Sequence, residues 1–331
     1  MSDLKLPNRS LPAVITEAGI CLTLNITSII GNSLVCIAAY RNPKLRSTTN
    51  LYIIALAVSD LLCATIEMPL ASSTLVIGRW DFGDVVCEIQ GFVDVFTTYA
   101  TPATLGLTAI NRYVKIVKTA KHKKYFSPLR SKIWLFCFWN FLVLYLLTGR
   151  TTNFLSFEFV PGFDVCALGF ANQRVRVVHF CITFGLFFVV PLCSGIFSYY
   201  KVLSTTHQHQ LNTAPSLRDR TNCGGRSSLK EIHATRVLLY VAAGFLCCWI
   251  PIWAFILWKR FSPETCPRRA AILVTFFLFL SATINPFIYA FTNCGFQTEF
   301  RKLLCCGHTS NEVVAANVNE AIGEVEDEAN V

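Results

Sequence analysis

The chain has 331 residues, of which 53% are hydrophobic, 13% aromatic and only 15% charged, with a formal net charge of +9. So apolar a composition excludes an ordinary soluble globular protein, whose surface needs more charge. The charged residues cluster between long apolar runs, the pattern of membrane-spanning helices. Their positive excess therefore points to an anionic inner leaflet and cytoplasmic partners, with no nucleic acid implied.

Seven apolar segments reach spanning length, at about 11–40, 48–72, 87–113, 132–149, 177–203, 236–258 and 270–291. They are about twice as long as a barrel strand and show no alternating pattern, so an outer-membrane β-barrel is excluded. The expected fold is an all-α membrane protein, a seven-transmembrane helix bundle with a short amphipathic eighth helix. Of the 29 lysines and arginines, 19 follow segments one, three, five and seven. Those loops should face the cytoplasm, which puts the N-terminus outside.

In chain order, residues 1–10 are polar, and Asn8-Arg9-Ser10 is a glycosylation acceptor triplet on the expected outer side. No small-residue cleavage site follows, so segment one reads as an uncleaved signal anchor. Asn32, Asp60, Glu67, Asp94 and Asn285 are strongly polar yet lie inside spanning segments, and Arg112 closes the third. Such residues either plug helix packing with hydrogen bonds or mark function. Cys87 and Arg112 are 25 residues apart. At helical rise that is roughly 37 Å, so one lies outside and the other inside. Asp94 then sits roughly 10 Å below the outer end of the same helix.

Most of the fifteen cysteines fall within helices, where a thiol is a small apolar filler; Cys87, Cys166 and Cys266 fall outside. The polar connection before segment six carries a Gly pair and is expected to be mobile. Phe296, Phe300, Leu303 and Leu304 make one helical stripe within 292–306, suited to the inner membrane surface. Cys305 and Cys306 follow as a palmitoylation pair. Residues 307–331 are acidic and small, an expected disordered cytoplasmic tail.

The ordered motifs resemble the rhodopsin-like (class A) G-protein-coupled receptors. They are Gly31-Asn32, Leu56-Ala57-Val58-Ser59-Asp60, Trp80 with Cys87, Asn111-Arg112-Tyr113, Trp139, Pro191 with Tyr199, Cys248-Trp249-Ile250-Pro251 and Asn285-Pro286-Phe287-Ile288-Tyr289. The resemblance covers about 22–305, with the receptor domain expected at 11–291 and the amphipathic helix at 292–306 beyond it. It implies a Cys87–Cys166 disulfide and a mid-membrane polar cluster of Asp60, Asn32, Thr101, Ser281 and Asn285 able to hold a sodium ion as an allosteric modulator. No other cofactor is implied. Pro251 and Pro286 would hinge helices six and seven, and Trp249, above Phe245, would couple ligand contact to the pivot. Arg112, restrained at rest by Glu231, would be released to meet Tyr199, Tyr289 and a heterotrimeric G protein. Asn111 replaces the acid that usually precedes that arginine, which leaves Glu231 a larger share of the restraint. Arrestin, receptor kinases and membrane lipids are further implied partners, and the plasma membrane the implied location.

The Asn-Arg-Tyr motif, Gly91-Phe92 and Thr119 most resemble the melatonin-receptor branch. Gly149 and Phe187, however, stand where those receptors carry pocket asparagine and histidine, and Asn285-Pro286 replaces their usual Asn-Ala. Asp94 instead matches the carboxylate with which amine receptors pair a ligand ammonium. Glu67 adds a second acid, with Trp253, Phe184, Phe188 and Phe279 as an aromatic wall and Val95, Thr98, Thr183, Trp249 and Ile252 completing the expected ligand site. Asp94 could otherwise pair internally with Tyr99, Arg174 or Arg176. The expected ligand is small and extracellular, a cationic amine or an indole such as melatonin. Phe279 replaces the lysine that an opsin needs for retinal. A transporter is the alternative class, since buried acids also mark ion pathways, but neither inverted repeats nor paired broken helices are visible. No His/Asp/Glu set has catalytic or ligand spacing, so an enzyme is not expected.

Overall fold

The computed structural model describes residues 4–213, 224–261 and 267–304, without the side chains of most residues from 206 to 238. Hydrocarbon offers backbone groups no partner, so each span satisfies its own hydrogen bonds as helix. The first span is α1 (Leu11–Arg41). The second runs through α2 (Thr48–Leu62), a π-helical turn at Cys63–Glu67 and α3 (Met68–Ile77). The third is α4 (Gly83–Val117), followed by the short α5 (Thr119–Tyr125) and the fourth span, α6 (Pro128–Thr151). The fifth comprises α7 (Gln173–Phe184), a second π-helical turn at Gly185–Val189 and α8 (Val190–Thr213). The sixth is α9 (Gly224–Phe261), the seventh α10 (Arg268–Thr292), and α11 (Cys294–Leu304) ends the described chain.

Local chemistry sets several boundaries. Ser47, Ser127 and Asn172 accept the first free N–H groups of α2, α6 and α7. Gly78, at φ 81°, ends α3 in the left-handed conformation. Both π-helical turns precede a proline, Pro69 or Pro191. Proline lacks an N–H and its ring crowds the carbonyl four residues back, so the helix widens there. Six spans are long and apolar enough to cross a membrane by composition alone. The remaining one, α4, is 35 residues long and carries Asp84, Glu88, Asp94, Arg112 and Lys115.

This polar helix is central, packing against α2, α6, α8 and α9. The ring closes where α10 meets both α9 and α1. Gly31 makes the last contact possible, because a Cβ there would lie 2.9 Å from the Pro286 ring. Proline is stiff and cannot give way. Gly31→Val is therefore expected to cost about 1–3 kcal/mol by overpacking, read as a lower melting temperature of the purified protein, while Gly19→Val, with open space around it, leaves it unchanged.

Between the fourth and fifth spans the structure adds an element that the sequence reading did not anticipate. Residues Leu155–Val160 (β1) and Val165–Phe170 (β2) form an antiparallel hairpin, from Leu155 opposite Phe170 to Val160 opposite Val165. Leu155, Phe157 and Phe159 are buried while the residues between them are more exposed. Three alternations amid polar loop residues are too short a signal to register beside 20-residue apolar runs. The hairpin lies on α4: Cys166 is bonded to Cys87 at a Cα separation of 5.4 Å, its N–H donates to Gln90 Oε1 at 2.9 Å, and Phe157 covers Gly91, which has no side chain to obstruct it.

In α11, Phe296 and Phe300 are buried against Val35, Leu45 and Tyr289. Leu304 is 67% exposed and does not share that burial, so the stripe divides between the bundle and the outer side of the helix. The Glu231 side chain, Cys266, Cys305, Cys306 and the tail 307–331 lie outside the described residues.

Candidate functional site

Three acids placed inside the membrane by sequence converge on one cavity of about 20 Å³, room for a water molecule rather than an organic ligand. The second span contributes Asp60, Cys63 and Glu67, and α4 contributes Asp94, Thr97, Thr98 and Thr101. Trp249 comes from α9, and Leu278, Ser281 and Ala282 from α10. Glu67 and Asp94 line the cavity together, with Cys63 in the same wall. Two carboxylates facing one small cavity repel, and a cation between them would relieve the repulsion. Glu67 closes the π-helical turn, whose extra backbone residue rotates it relative to Asp60. In α4, Pro102 leaves the Thr98 carbonyl, at the cavity wall, without its helical N–H partner.

Asp60 accepts a hydrogen bond from Asn285 Nδ2 at 2.9 Å. Thr101 and Ser281 share its cavity, while Asn32 Nδ2 turns to the Ser28 and Ala282 carbonyls, each at 3.0 Å. Trp249 Nε1 donates to Ser281 Oγ at 3.1 Å, and its ring stacks on Phe245 at 5.0 Å. An indole two residues before Pro251 is thus tied to the helix carrying Pro286.

Of the residues expected to receive a ligand, Asp94, Glu67, Thr98 and Trp249 meet in this cavity and the others do not line it. Val95 packs toward Leu142 and Leu146, on another side of α4. Ile252 and Trp253 lie in the core between α9 and α10, and Phe279 is fully buried beside Cys63 and Val165. Thr183 donates to the His179 carbonyl at 2.8 Å. Phe184 and Phe188 do flank Trp253, with ring centroids 4.9 and 5.4 Å away, but this aromatic group is not part of the acid cavity. The alternative partners of Asp94 are also engaged elsewhere. The Tyr99 hydroxyl meets His179 Nε2 at 2.8 Å, whose Nδ1 meets the Tyr145 hydroxyl at 2.6 Å. Arg176 lies over Phe170, and Arg174 is exposed. Periodicity along one helix could not reveal these pairings between helices.

The hairpin turn makes contacts with other elements that the sequence did not signal. Val165 shares an apolar cluster with Cys63, Ala64, Phe279 and Ala282, and Phe163 packs against it. Asp164 Oδ2 accepts from Arg268 Nη2 at 2.8 Å, Arg268 holds both oxygens of Glu17 at 2.8 and 3.0 Å, and Glu17 accepts from Arg9 at 3.0 Å. Burial pushes the Asp164 carboxyl up to about 7, against the pull of Arg268 and Arg9. At the other end, Arg112 and Asn111 are buried and Tyr113 packs on Phe197 at 5.4 Å. Tyr199 is within electrostatic reach of both Arg112 and Tyr289.

The family described as 7 transmembrane receptor (rhodopsin family) matches residues 31–289. The Histamine H2 receptor of Canis lupus familiaris is 25% identical over 91% of this chain and 83% of its own length. The Melatonin receptor type 1A of Ovis aries is 24% identical over 87% and 77%. The Growth hormone secretagogue receptor type 1 of Mus musculus is 29% identical over 92% and 85%. The crystal structure of squid rhodopsin superposes with a TM-score of 0.79 at 22% identity, covering 94% of this chain and 92% of that one, a likeness of fold. The family match spans well over half the chain, so the chain belongs to the rhodopsin family of seven-transmembrane receptors, multi-pass membrane proteins that are not enzymes.

Proposed function

We propose that this receptor recognises a small extracellular ligand bearing a cation, seats that cation on Asp94 and Glu67, and activates a heterotrimeric G protein through outward movement of helix six. The observation that carries the reading is the convergence of Asp94 and Glu67 on one cavity beside Trp249. A ligand ammonium satisfies both acids at once, and the same step disturbs the indole bonded across helices six and seven. Among the relatives, a histamine receptor is consistent with an amine. Against the indole reading, Gly149 is occupied from above by the Leu155 side chain, and Phe187 is committed to stacking on Tyr99 at 4.5 Å. An N-terminus outside the plasma membrane, glycosylation at Asn8, palmitoylation at Cys305 and Cys306, and engagement by arrestin and receptor kinases belong to the same proposal. So does a sodium ion held by Asp60, Thr101 and Ser281 beside Asn32 and Asn285.

Labelled guanine-nucleotide uptake by a G protein in membranes containing the receptor tests the output. The expected result is exchange that Arg112→Ala abolishes and Glu231→Ala raises without ligand, since the first removes the coupling guanidinium and the second its proposed restraint. Solute flux with no nucleotide exchange would instead favour a transporter.

A further inference from the structure

We propose that Asp164 is a proton-binding site through which extracellular acidity acts on the outer end of the bundle, the bound proton replacing the Asp164–Arg268 ion pair with a neutral contact. Asp164 ends the hairpin turn, residues 161–164, and is only 1% exposed. Charged groups from three other elements surround it: Arg268 at the start of α10, Glu17 of α1 and Arg9 of the N-terminal segment. The Cys21 thiol of α1 is within electrostatic reach, and Lys259 of α9 lies 4.6 Å above the ring of the adjacent Phe163. The two cations are divided unequally between the two acids. Glu17 accepts from Arg268 Nη1 and Nη2 and from Arg9 Nη1, whereas Asp164 accepts from Arg268 Nη2 alone. Arg9 uses its other terminal nitrogen on the Leu75 carbonyl at 2.8 Å.

Asp164 Oδ1 is left buried with no hydrogen-bond partner among the described residues. An ionised carboxylate needs acceptor sites on both oxygens satisfied, and a buried charge with one oxygen unpaired keeps much of its desolvation cost. A proton taken from solvent onto that oxygen removes the charge and leaves the neutral acid. Burial thus places the titration at about 7; Arg268 and Arg9 oppose the shift and Glu17 adds to it, so the network itself sets the midpoint. The outer segments, residues 1–10, 73–86, 150–176 and 259–269, contain no histidine, the side chain that ordinarily titrates near neutrality. On protonation Arg268 keeps Glu17, and the turn keeps the hydrogen bond from Thr275 Oγ1 to the Phe163 carbonyl at 2.8 Å. What weakens is the ionic link to the outer end of α10 from the hairpin, and so from α4 through the Cys87–Cys166 bond. An unfolded aspartate titrates near about 3.9, so the native chain holds the extra proton between that value and about 7. The stability this contributes is complete below the lower value and is lost as pH rises through the upper one. The outer-face placement rests on the orientation proposed above; the proton binding does not.

The receptor in nanodiscs is titrated from pH 8 to pH 6 while infrared difference spectra follow its protonated carboxyl groups and thermal unfolding follows its stability. The native chain is expected to gain a carboxyl band beyond that of Asp164→Asn, and to melt about 2–4 °C higher at pH 6 than at pH 8, with a smaller rise in Asp164→Asn. Arg9→Gln removes a charge that opposes protonation, so its midpoint should move to higher pH; this variant carries the test if Asp164→Asn fails to fold. Arg150→Ala, which removes the Arg150–Glu88 pair outside the cluster, should leave the midpoint in place. Equal bands in the native chain and Asp164→Asn, an unmoved midpoint in Arg9→Gln, or an equal move in Arg150→Ala would overturn the proposal. Because neither ligand nor G protein is used, that failure is distinct from failure of the receptor reading.

Discussion

Asp94→Asn is expected to abolish the response to cationic ligands while making the unliganded receptor more stable. The two effects have opposite signs because Asp94 has two relationships. Toward a ligand ammonium it is one partner of a buried ion pair, and deleting one partner of such a pair costs about 3–5 kcal/mol, a loss of over a hundredfold in affinity. Toward Glu67 it is a second acid facing the same small cavity, and an amide relieves that conflict by donating a hydrogen bond. A gain of about 1 kcal/mol would raise the melting temperature by about 2–4 °C. The measurements are a panel of amines, indoles and short peptides by nucleotide exchange, beside thermal unfolding of the purified protein. Loss confined to cationic compounds together with a higher melting temperature supports the assignment. Equal loss for neutral and charged compounds, or a lower melting temperature, would show that Asp94 serves packing alone.

The second large effect is expected at the hairpin. Cys166→Ser should cost about 2–5 kcal/mol and strongly reduce the amount of receptor at the cell surface. The bond is the covalent tie between the hairpin and α4, and without it the hairpin is held there by the Gln90 hydrogen bond and the packing of Phe157 on Gly91. Cys87→Ser should do the same. The double variant should be no worse than either single one, because both remove one shared interaction. Surface labelling and thermal unfolding of the three variants check this; additive losses would mean that the cysteines act separately.

Much of the fold was legible because a bilayer imposes length and apolarity on each segment independently. The run at 11–40 became α1 at Leu11–Arg41, and that at 270–291 became α10 at Arg268–Thr292. Pro251 and Pro286 lie inside α9 and α10, which run on through them as single helices, and Cys87 and Cys166 are joined as the motifs suggested. The hairpin was missed because its alternation is brief. The aromatic residues were assigned to the acid site by type, yet packing sent Phe184, Phe188 and Trp253 to a separate cluster. Their side-chain directions depend on which helices adjoin them, which periodicity within one helix leaves open.

By itself, then, the sequence determined a bundle of membrane helices, the side on which its basic loops should lie and the presence of costly acids at mid-depth, because each follows from transferring local segments out of water. Only the tertiary structure decided that Glu67 and Asp94 share one cavity, that Tyr99 spends its hydroxyl on His179, and that Asp164 and Arg268, 104 residues apart, form an ion pair. Those pairings depend on helix rotation, π-helical turns and the path of a loop, properties set by the packing of the whole bundle and not by any segment alone.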